Sequence, residues 1–258
     1  MLKIIYWLDR IIGVCGSPVT THSSGFLGLY GVEKSHQNRG IGKQLFNLCL
    51  KHIGDRNCGL HAVPEYLDIY QNKAGFGISE GRSMVAFRGI PKNVDNLQMT
   101  INGSFKVKEL NEDNKSSLLS KIIKYDSKVH KDNRQKLLTL TLNKSDYLTF
   151  VAIDETNDEV LGYGCIRPNS GHQGMIGPVY ADNHSMAEVL IYNLIKSCKL
   201  SQTNGLLYIT IDSSEAGLKI AQKLGLIEEE RCQRLFTKYV IPSNHEFIYC
   251  IHSPDFSL

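Results

Sequence analysis

Sliding the 258-residue chain against itself by 149 positions sets Ile12-Gly13 on Leu161-Gly162, Phe26-Leu27-Gly28 on Met175-Ile176-Gly177, Leu45 on Leu194, Cys49 on Cys198 and Leu60 on Ile209. One position further on, Gly75-Phe76 falls on Gly225-Leu226. An offset held over about 65 positions, glycine on glycine and apolar on apolar, marks two copies of one fold. The length, with 42% apolar and 21% charged residues, supplies enough apolar sequence for two ordinary cores and is not a disordered composition.

The second copy is the fuller one. Residues 105–110 alternate as a strand, 113–128 carry Leu118, Leu119, Ile122 and Ile123 at helical spacing, and 134–142 read as another helix. Residues 148–153 and 160–166 form a hairpin about the polar turn 154–158, and 174–180 form a further strand. Ala187, Leu190, Ile191, Leu194, Ile195 and Cys198 then mark one face of a long helix. A strand at 206–211, a helix at 214–224 stopped by Gly225 and a strand at 232–240 close the copy. The order is β-α-α-β-β-β-α-β-α-β, a mixed α/β sheet. The first copy repeats its later part: a hairpin of 2–8 and 10–16, a strand at 25–32, a helix at 42–53, a strand at 58–63, a helix at 64–73 and a strand at 81–87. Carrying the offset back from Ser104 puts its opening β-α-α at −45, so the first copy is expected to lack about 45 residues of the repeat. The expected division is a first domain at 1–90, a polar linker at 91–103, a second domain at 104–241 and a tail at 242–258.

Charge and cysteine usage narrow the function. Lys plus Arg is 29 against 26 Asp plus Glu, a formal charge of +3 with no basic run, which argues against a nucleic-acid partner. No stretch approaches the roughly 20 apolar residues of a membrane span. The seven cysteines stand singly, with no C-x-x-C pair, which speaks against a disulfide framework or a metal site and for buried thiols in the cytoplasm. Cys49 and Cys58 are read as packing residues.

One loop carries chemistry: Gln37-Asn38-Arg39-Gly40-Ile41-Gly42, between a strand and a helix, followed by Lys43. Unpaired N–H groups at a helix start point outward, and the helix dipole adds positive potential. Gly40 and Gly42 let phosphate oxygens come close, and Arg39 and Lys43 add charge. The spacing is neither a P-loop nor a dinucleotide fingerprint.

A Q/R-x-x-G-x-G/A loop set between strand and helix in this order of elements resembles the acetyl-CoA loop of the GNAT N-acetyltransferase superfamily. The Leu29-Tyr30-Gly31-Val32 stretch looks like that family's splayed fourth strand, and Lys73-Ala74-Gly75-Phe76 resembles its Tyr-x-Lys-x-Gly-Phe ending. The Ile176-Gly177-Pro178-Val179-Tyr180-Ala181-Asp182 segment is similar to one in the second repeat of tandem GNAT proteins. The resemblance implies two GNAT-like acyl-CoA N-acyltransferase folds in tandem, the first incomplete, with acetyl-CoA as co-substrate. It implies Gln37, Asn38, Arg39, Gly40, Ile41, Gly42 and Lys43 at the diphosphate, and Tyr30, Gly31 and Val32 along the pantetheine arm. In the second copy Met186–Ile191 holds no glycine, and Asp182 or Asn183 reads as a plain helix cap. Only the first copy is expected to bind the cofactor, and the second to be structural or acceptor-facing.

The reaction implied is acetyl transfer to a primary amine of a small molecule or peptide. By its place on the helix after the fifth strand, Tyr70 is the expected acid toward the leaving thiolate, with Tyr66 as fallback. A general base is not apparent. Residues 24–32 hold no carboxylate, and Glu33, His22 and His61 lie nearby in sequence. The alternative is a GNAT-like module that binds acyl-CoA or a protein partner without turnover.

Overall fold

The computed structural model describes residues 1–7, 9–99 and 105–255. Leu8 at the end of the expected first strand, the linker residues 100–103, Ser104 and the tail residues 256–258 lie outside them. The chain divides into two compact units. One holds Met1–Arg82, Cys232–Ile241 and Ser253–Leu258, the other Ser83–Arg231 and Pro242–His252.

In the first unit, β1 (Leu2–Trp7) and β2 (Arg10–Gly16) form an antiparallel hairpin that turns at Asp9 with a positive φ of 60°. β4 (Gly28–Val32) pairs with β2 to complete a three-stranded sheet. α1 (Ile41–Ile53) packs on it through Leu45, Cys49 and Ile53, spaced four apart on one buried face. Gly13 lets the helix come close, because a Cβ there would sit 2.9 Å from Leu45. β3 (Ser24–Phe26) runs parallel to β5 (Asn57–Ala62), whose other edge pairs with residues 233–236 of β12 (Ile227–Phe236). α2 (Leu67–Asn72) follows β5, entered through a 3-10 turn begun by Pro64. Cys15, Leu27, Leu45, Cys49, Cys58, Leu60, Phe76 and Leu235 make the core.

The second unit is a sheet in the order β6 (from Met84 on), β11, β10, β9, β8, β7. β6 is Ile78–Gly89, β7 Phe105–Glu109, β8 Leu148–Asp154, β9 Val160–Pro168, β10 Gly174–Ala181 and β11 Leu206–Ile211. α3 (Glu112–His130) starts at a reciprocal cap between Asn111 and Asn114, and α4 (Gln135–Leu142) follows it. α5 (His184–Ser197), α6 (Lys199–Thr203) and α7 (Glu215–Lys223) complete the helices named here. The core gathers Phe150, Ile166, Ile176, Leu190, Leu194, Tyr208 and Ile220 among others.

The units differ from the division read from sequence at four places. Residues 84–89, expected in the first domain, pair with β11 in the second unit, and residues 233–236, expected in the second, pair with β5 in the first. A strand alternates in the same way whichever neighbour takes its hydrogen bonds, so periodicity does not assign the partner. The expected tail contains β13 (Ile248–Cys250), an interior strand paired with β10. The expected linker buries Leu97 in the second unit's core. Among the described residues no helix is long and apolar enough to cross a membrane.

Candidate active site

The expected single strand at 25–32 is two strands, and the break shapes the site. β3 follows β5 as far as Leu27, whose N–H donates to the Gly59 carbonyl at 2.8 Å. Leu29 takes a φ of +49°, and the register with β2 shifts between Val14 and Gly16. β4 thus leaves β5 and pairs with β2 instead, which opens a gap bounded by Leu29–Val32 and by Leu60–Ala62. Unpaired backbone groups along such an edge need partners from elsewhere.

The predicted loop closes on the end of β4. Gln37 Nε2 donates to the Val32 carbonyl at 3.1 Å. Glu33 meets His36 Nδ1 at 3.1 Å and Arg10 at 3.7 Å, so this candidate base is engaged in holding the loop. Asn38 and Gly40 have φ of 61° and 79°, and Gly40 is the N-cap of α1. The helix starts at Ile41, one residue before the expected Gly42. No side chain caps it and no acid stands in its first turn, and the Gln44 N–H is the donor that returns to the Gly40 carbonyl, at 3.1 Å. The N–H groups of the first turn therefore face outward. A Cβ added at Gly31 or Gly40 meets nothing within 4 Å, whereas one at Gly42 would overlap the Tyr30 hydroxyl. Gly42 is thus what lets Tyr30 lie across the helix start, edge-on to Phe46 at 5.8 Å. Arg39 and Lys43 are exposed. Uncapped donors, room at two glycines and two cations fit a diphosphate.

Tyr70 lies on α2 with its ring 6.3 Å from Phe46 and 6.4 Å from Phe76. Burial pushes its phenol up to about 12, helped by Tyr30, Cys15 and Tyr66. Its hydroxyl has no hydrogen-bond partner among the described residues. Tyr66, the fallback, is 54% exposed. Cys49 and Cys58 are buried in the core, as packing residues would be.

Sequence reasoning missed Pro254 and Asp255. The Leu29 N–H donates to Asp255 Oδ1 at 3.0 Å, and His61 Nδ1 lies 2.8 Å from the Pro254 carbonyl. The repeat held a faint signal of this contact. Gly28 and Gly177 coincide at the 149-residue offset. A Cβ at Gly28 would overlap the backbone of Asp255, and one at Gly177 that of Ile251. Both glycines face the chain's last described stretch.

The second unit closes the corresponding features with its own chain. Asn183 caps α5 by accepting from the Met186 N–H at 2.9 Å, while Asp182 binds the Tyr125 hydroxyl at 3.0 Å and Lys128 at 2.8 Å. β10 and β11 run parallel only through Ile176 and Tyr208, and then part. β13 fills the opening: it pairs with β10, and the Ile251 N–H donates to the Ile209 carbonyl at 3.0 Å. Among the described residues no group of three or more His, Cys, Asp or Glu is placed to hold a metal.

Comparison with known proteins bears on the family and the fold. The profile of the acetyltransferase (GNAT) domain matches residues 122–250, half of the chain, and that of the acetyltransferase (GNAT) family matches residues 2–75. No curated protein matches the sequence. Among solved structures, a Pyrococcus horikoshii protein classed with the acetyltransferases superposes with a TM-score of 0.70 at 18% identity, over 98% of this chain and 79% of its own. A tandem GNAT protein from the clavulanic acid biosynthesis pathway gives 0.64 at 12% identity, over 92% and 82%. A GCN5-related N-acetyltransferase from Sphaerobacter thermophilus gives 0.60 at 11% identity, over 92% and 79%. At these identities the structures speak for the fold, and the fold is two GNAT-like domains in tandem. With one GNAT profile on each copy, the chain belongs to the GNAT acetyltransferase family.

Proposed function

We propose that the first unit is an acetyl-CoA-dependent N-acetyltransferase of the cytoplasm that acts on a primary amine of a small molecule or peptide. The observation that carries this reading is the uncapped start of α1 at Gly40, beside the edge of β4 left open where it parts from β5. Gln37–Lys43 would hold the diphosphate through N–H groups and two cations, and the backbone of Tyr30–Val32 would run along the pantetheine arm. Acetyl-CoA, when bound, supplies the thioester. Tyr70 stays protonated across the physiological range, as an acid toward a thiolate must be. The second unit, with Asn183 as cap and β13 in its opening, is read as structural or acceptor-facing. A second reading, a binding module without turnover, is favoured by one fact: Tyr70 packs on Phe46 and Phe76 as a core ring would.

Calorimetry with acetyl-CoA should give one site per chain. Gly40→Val should weaken binding at least about 10-fold, because a β-branched side chain at positive φ is strained by roughly 1–2 kcal/mol and occupies the phosphate approach. Gly40 is exposed, so the fold should survive the change. Unchanged affinity in the variant overturns the assignment. In hydrogen exchange, acetyl-CoA should protect residues 29–43 and leave 179–191 unaltered, and equal protection of both would place a cofactor in the second unit as well. A screen of amines with acetyl-CoA, following release of free thiol, separates the enzyme from the binding module.

A further inference from the structure

Each unit has an opening where two strands part, β4 from β5 in the first and β10 from β11 in the second. In the second unit β13 fills the opening as a strand. Ile248 and Cys250 pair with β10 and are fully buried, and the bare Gly177 makes room for the Ile251 carbonyl. In the first unit residues 253–255 cross the opening more lightly. Asp255 Oδ1 accepts the Leu29 N–H at 3.0 Å, and the Pro254 carbonyl accepts from His61 Nδ1 at 2.8 Å. The Asp255 N–H donates to Ser253 Oγ at 3.2 Å, and the Asp255 backbone rests on Gly28, where a Cβ would overlap it. Pro254 and Asp255 form a turn, not a strand, and are only half-buried.

The place of this strap sets it against the cofactor. The diphosphate cradle lies past the end of β4, at Gln37–Lys43, and the pantetheine arm would run back along Val32, Gly31 and Tyr30. The next backbone N–H toward the reacting end is that of Leu29, and Asp255 already holds it. A thioester carbonyl arriving there needs a donor for the negative charge that its oxygen gains, and the Asp255 oxygen stands in its place. A hydrogen bond to a carboxylate is of the stronger kind, so the strap competes in earnest for that N–H. A half-buried turn held by a few hydrogen bonds is also the sort of segment that opens locally while the fold stays intact.

We infer that residues 253–255 are an autoinhibitory strap: Asp255 occupies the Leu29 N–H in place of the acyl carbonyl, and acetyl-CoA fills the first unit by displacing it. The inference rests on the N-acetyltransferase reading of this unit. A site that is open for only a fraction of the time binds its ligand more weakly by that fraction. The strap therefore raises the acetyl-CoA concentration at which the site fills. It acts at the reacting end alone, and the cradle at Gly40 stays open to a diphosphate. β13, paired and buried, has no such release, which accords with one cofactor site per chain.

The test compares two variants that loosen the strap from opposite sides. Asp255→Ala removes the oxygen that accepts from Leu29, and Gly28→Ala pushes the Asp255 backbone off its seat. Full-length wild type and variants are titrated calorimetrically with acetyl-CoA and with ADP, which carries the diphosphate and lacks the arm. Both variants should bind acetyl-CoA about 10-fold more tightly, the usual effect of a charged hydrogen bond, and ADP within about twofold of wild type. Asp255→Asn keeps an oxygen for Leu29 and should fall between wild type and Asp255→Ala. In hydrogen exchange on wild type, acetyl-CoA should speed exchange at Ser253 and Asp255 while slowing it along 29–43. Should Gly28→Ala fail to fold, Asp255→Ala decides. Unchanged or weaker acetyl-CoA binding in Asp255→Ala overturns the inference and leaves the cofactor reading standing. Slower exchange at Ser253 and Asp255 with acetyl-CoA also overturns it, since the strap would then close over the cofactor. An equal gain in ADP affinity does the same, because the effect would then lie in the cradle. Binding of neither acetyl-CoA nor ADP by any of these proteins sinks the cofactor reading and the inference together. Tighter acetyl-CoA binding in the variants, with no thiol released in the presence of any amine, would sustain the strap and sink acyl transfer alone.

Discussion

Tyr70→Phe should lower kcat by about 10²–10⁴-fold, the usual worth of a positioned general acid, and leave acetyl-CoA affinity within about twofold. The substitution keeps the ring that packs on Phe46 and Phe76 and removes only a hydroxyl that has no partner among the described residues. Stability should therefore change by less than about 1 kcal/mol. The pH dependence follows from the direction of the shift. An acid must be protonated to act, and burial first of all holds this phenol up to about 12. The wild-type rate should accordingly show no loss assignable to Tyr70 between pH 7 and about 10, and what rises in that range is the neutral fraction of the amine. Thiol release at saturating amine and acetyl-CoA measures kcat, and calorimetry measures affinity. A drop in affinity with intact turnover would make Tyr70 a packing residue and turn attention to Tyr66.

What could be read from the sequence was local. Leu45, Cys49 and Ile53 recur every four residues, and that spacing alone places α1 and its buried face. The glycines of the loop could be read because positive φ at Gly40 and the Tyr30 contact at Gly42 are conditions on single residues. The break between β3 and β4 was not legible: it depends on Leu29 adopting positive φ, which an apolar residue in a strand-like run gives no reason to expect. Nor was β13, since Ile248–Cys250 is three residues long and takes its meaning from the opening between β10 and β11 that receives it. Asp255 lies beyond any local pattern, because its contact with Leu29 exists only once the last stretch of chain has been threaded past Gly28. Periodicity identifies what an element is, but partners far apart in sequence are chosen by packing.

Asp126→Asn should destabilise the second unit by about 3–5 kcal/mol, the usual cost of removing one partner from a buried ion pair. Asp126 lies on the inner face of α3 and is fully buried. Arg134, just ahead of α4, grips both its oxygens, Nε to Oδ1 at 2.9 Å and Nη2 to Oδ2 at 2.5 Å. The Tyr163 hydroxyl donates to the same carboxylate from β9 at 2.6 Å. One group therefore ties α3, α4 and the sheet together, and an amide in its place would remove the negative charge that Arg134 grips there. Burial alone would raise the Asp126 pKa. The Arg134 charge overrides it, with His130 and the hydrogen bonds from Arg134 and Tyr163 adding to the effect, and the carboxyl falls to about 2. A folded pKa below the unfolded value near 3.9 stabilises fully at neutral pH and is lost as pH falls toward 2. That contribution, about 2–3 kcal/mol for a shift of this size, should disappear from wild type between roughly pH 5 and pH 2 and be missing from Asp126→Asn throughout. Urea unfolding at pH 7 and at pH 3 measures both effects: the gap between wild type and variant should be wide at pH 7 and narrower at pH 3. Replacing the pair together, Asp126→Leu with Arg134→Met, should recover most of the loss, because neither charge then remains to be desolvated. A single variant within about 1 kcal/mol of wild type at pH 7 would mean that the pair does not hold the α3–α4 opening in place.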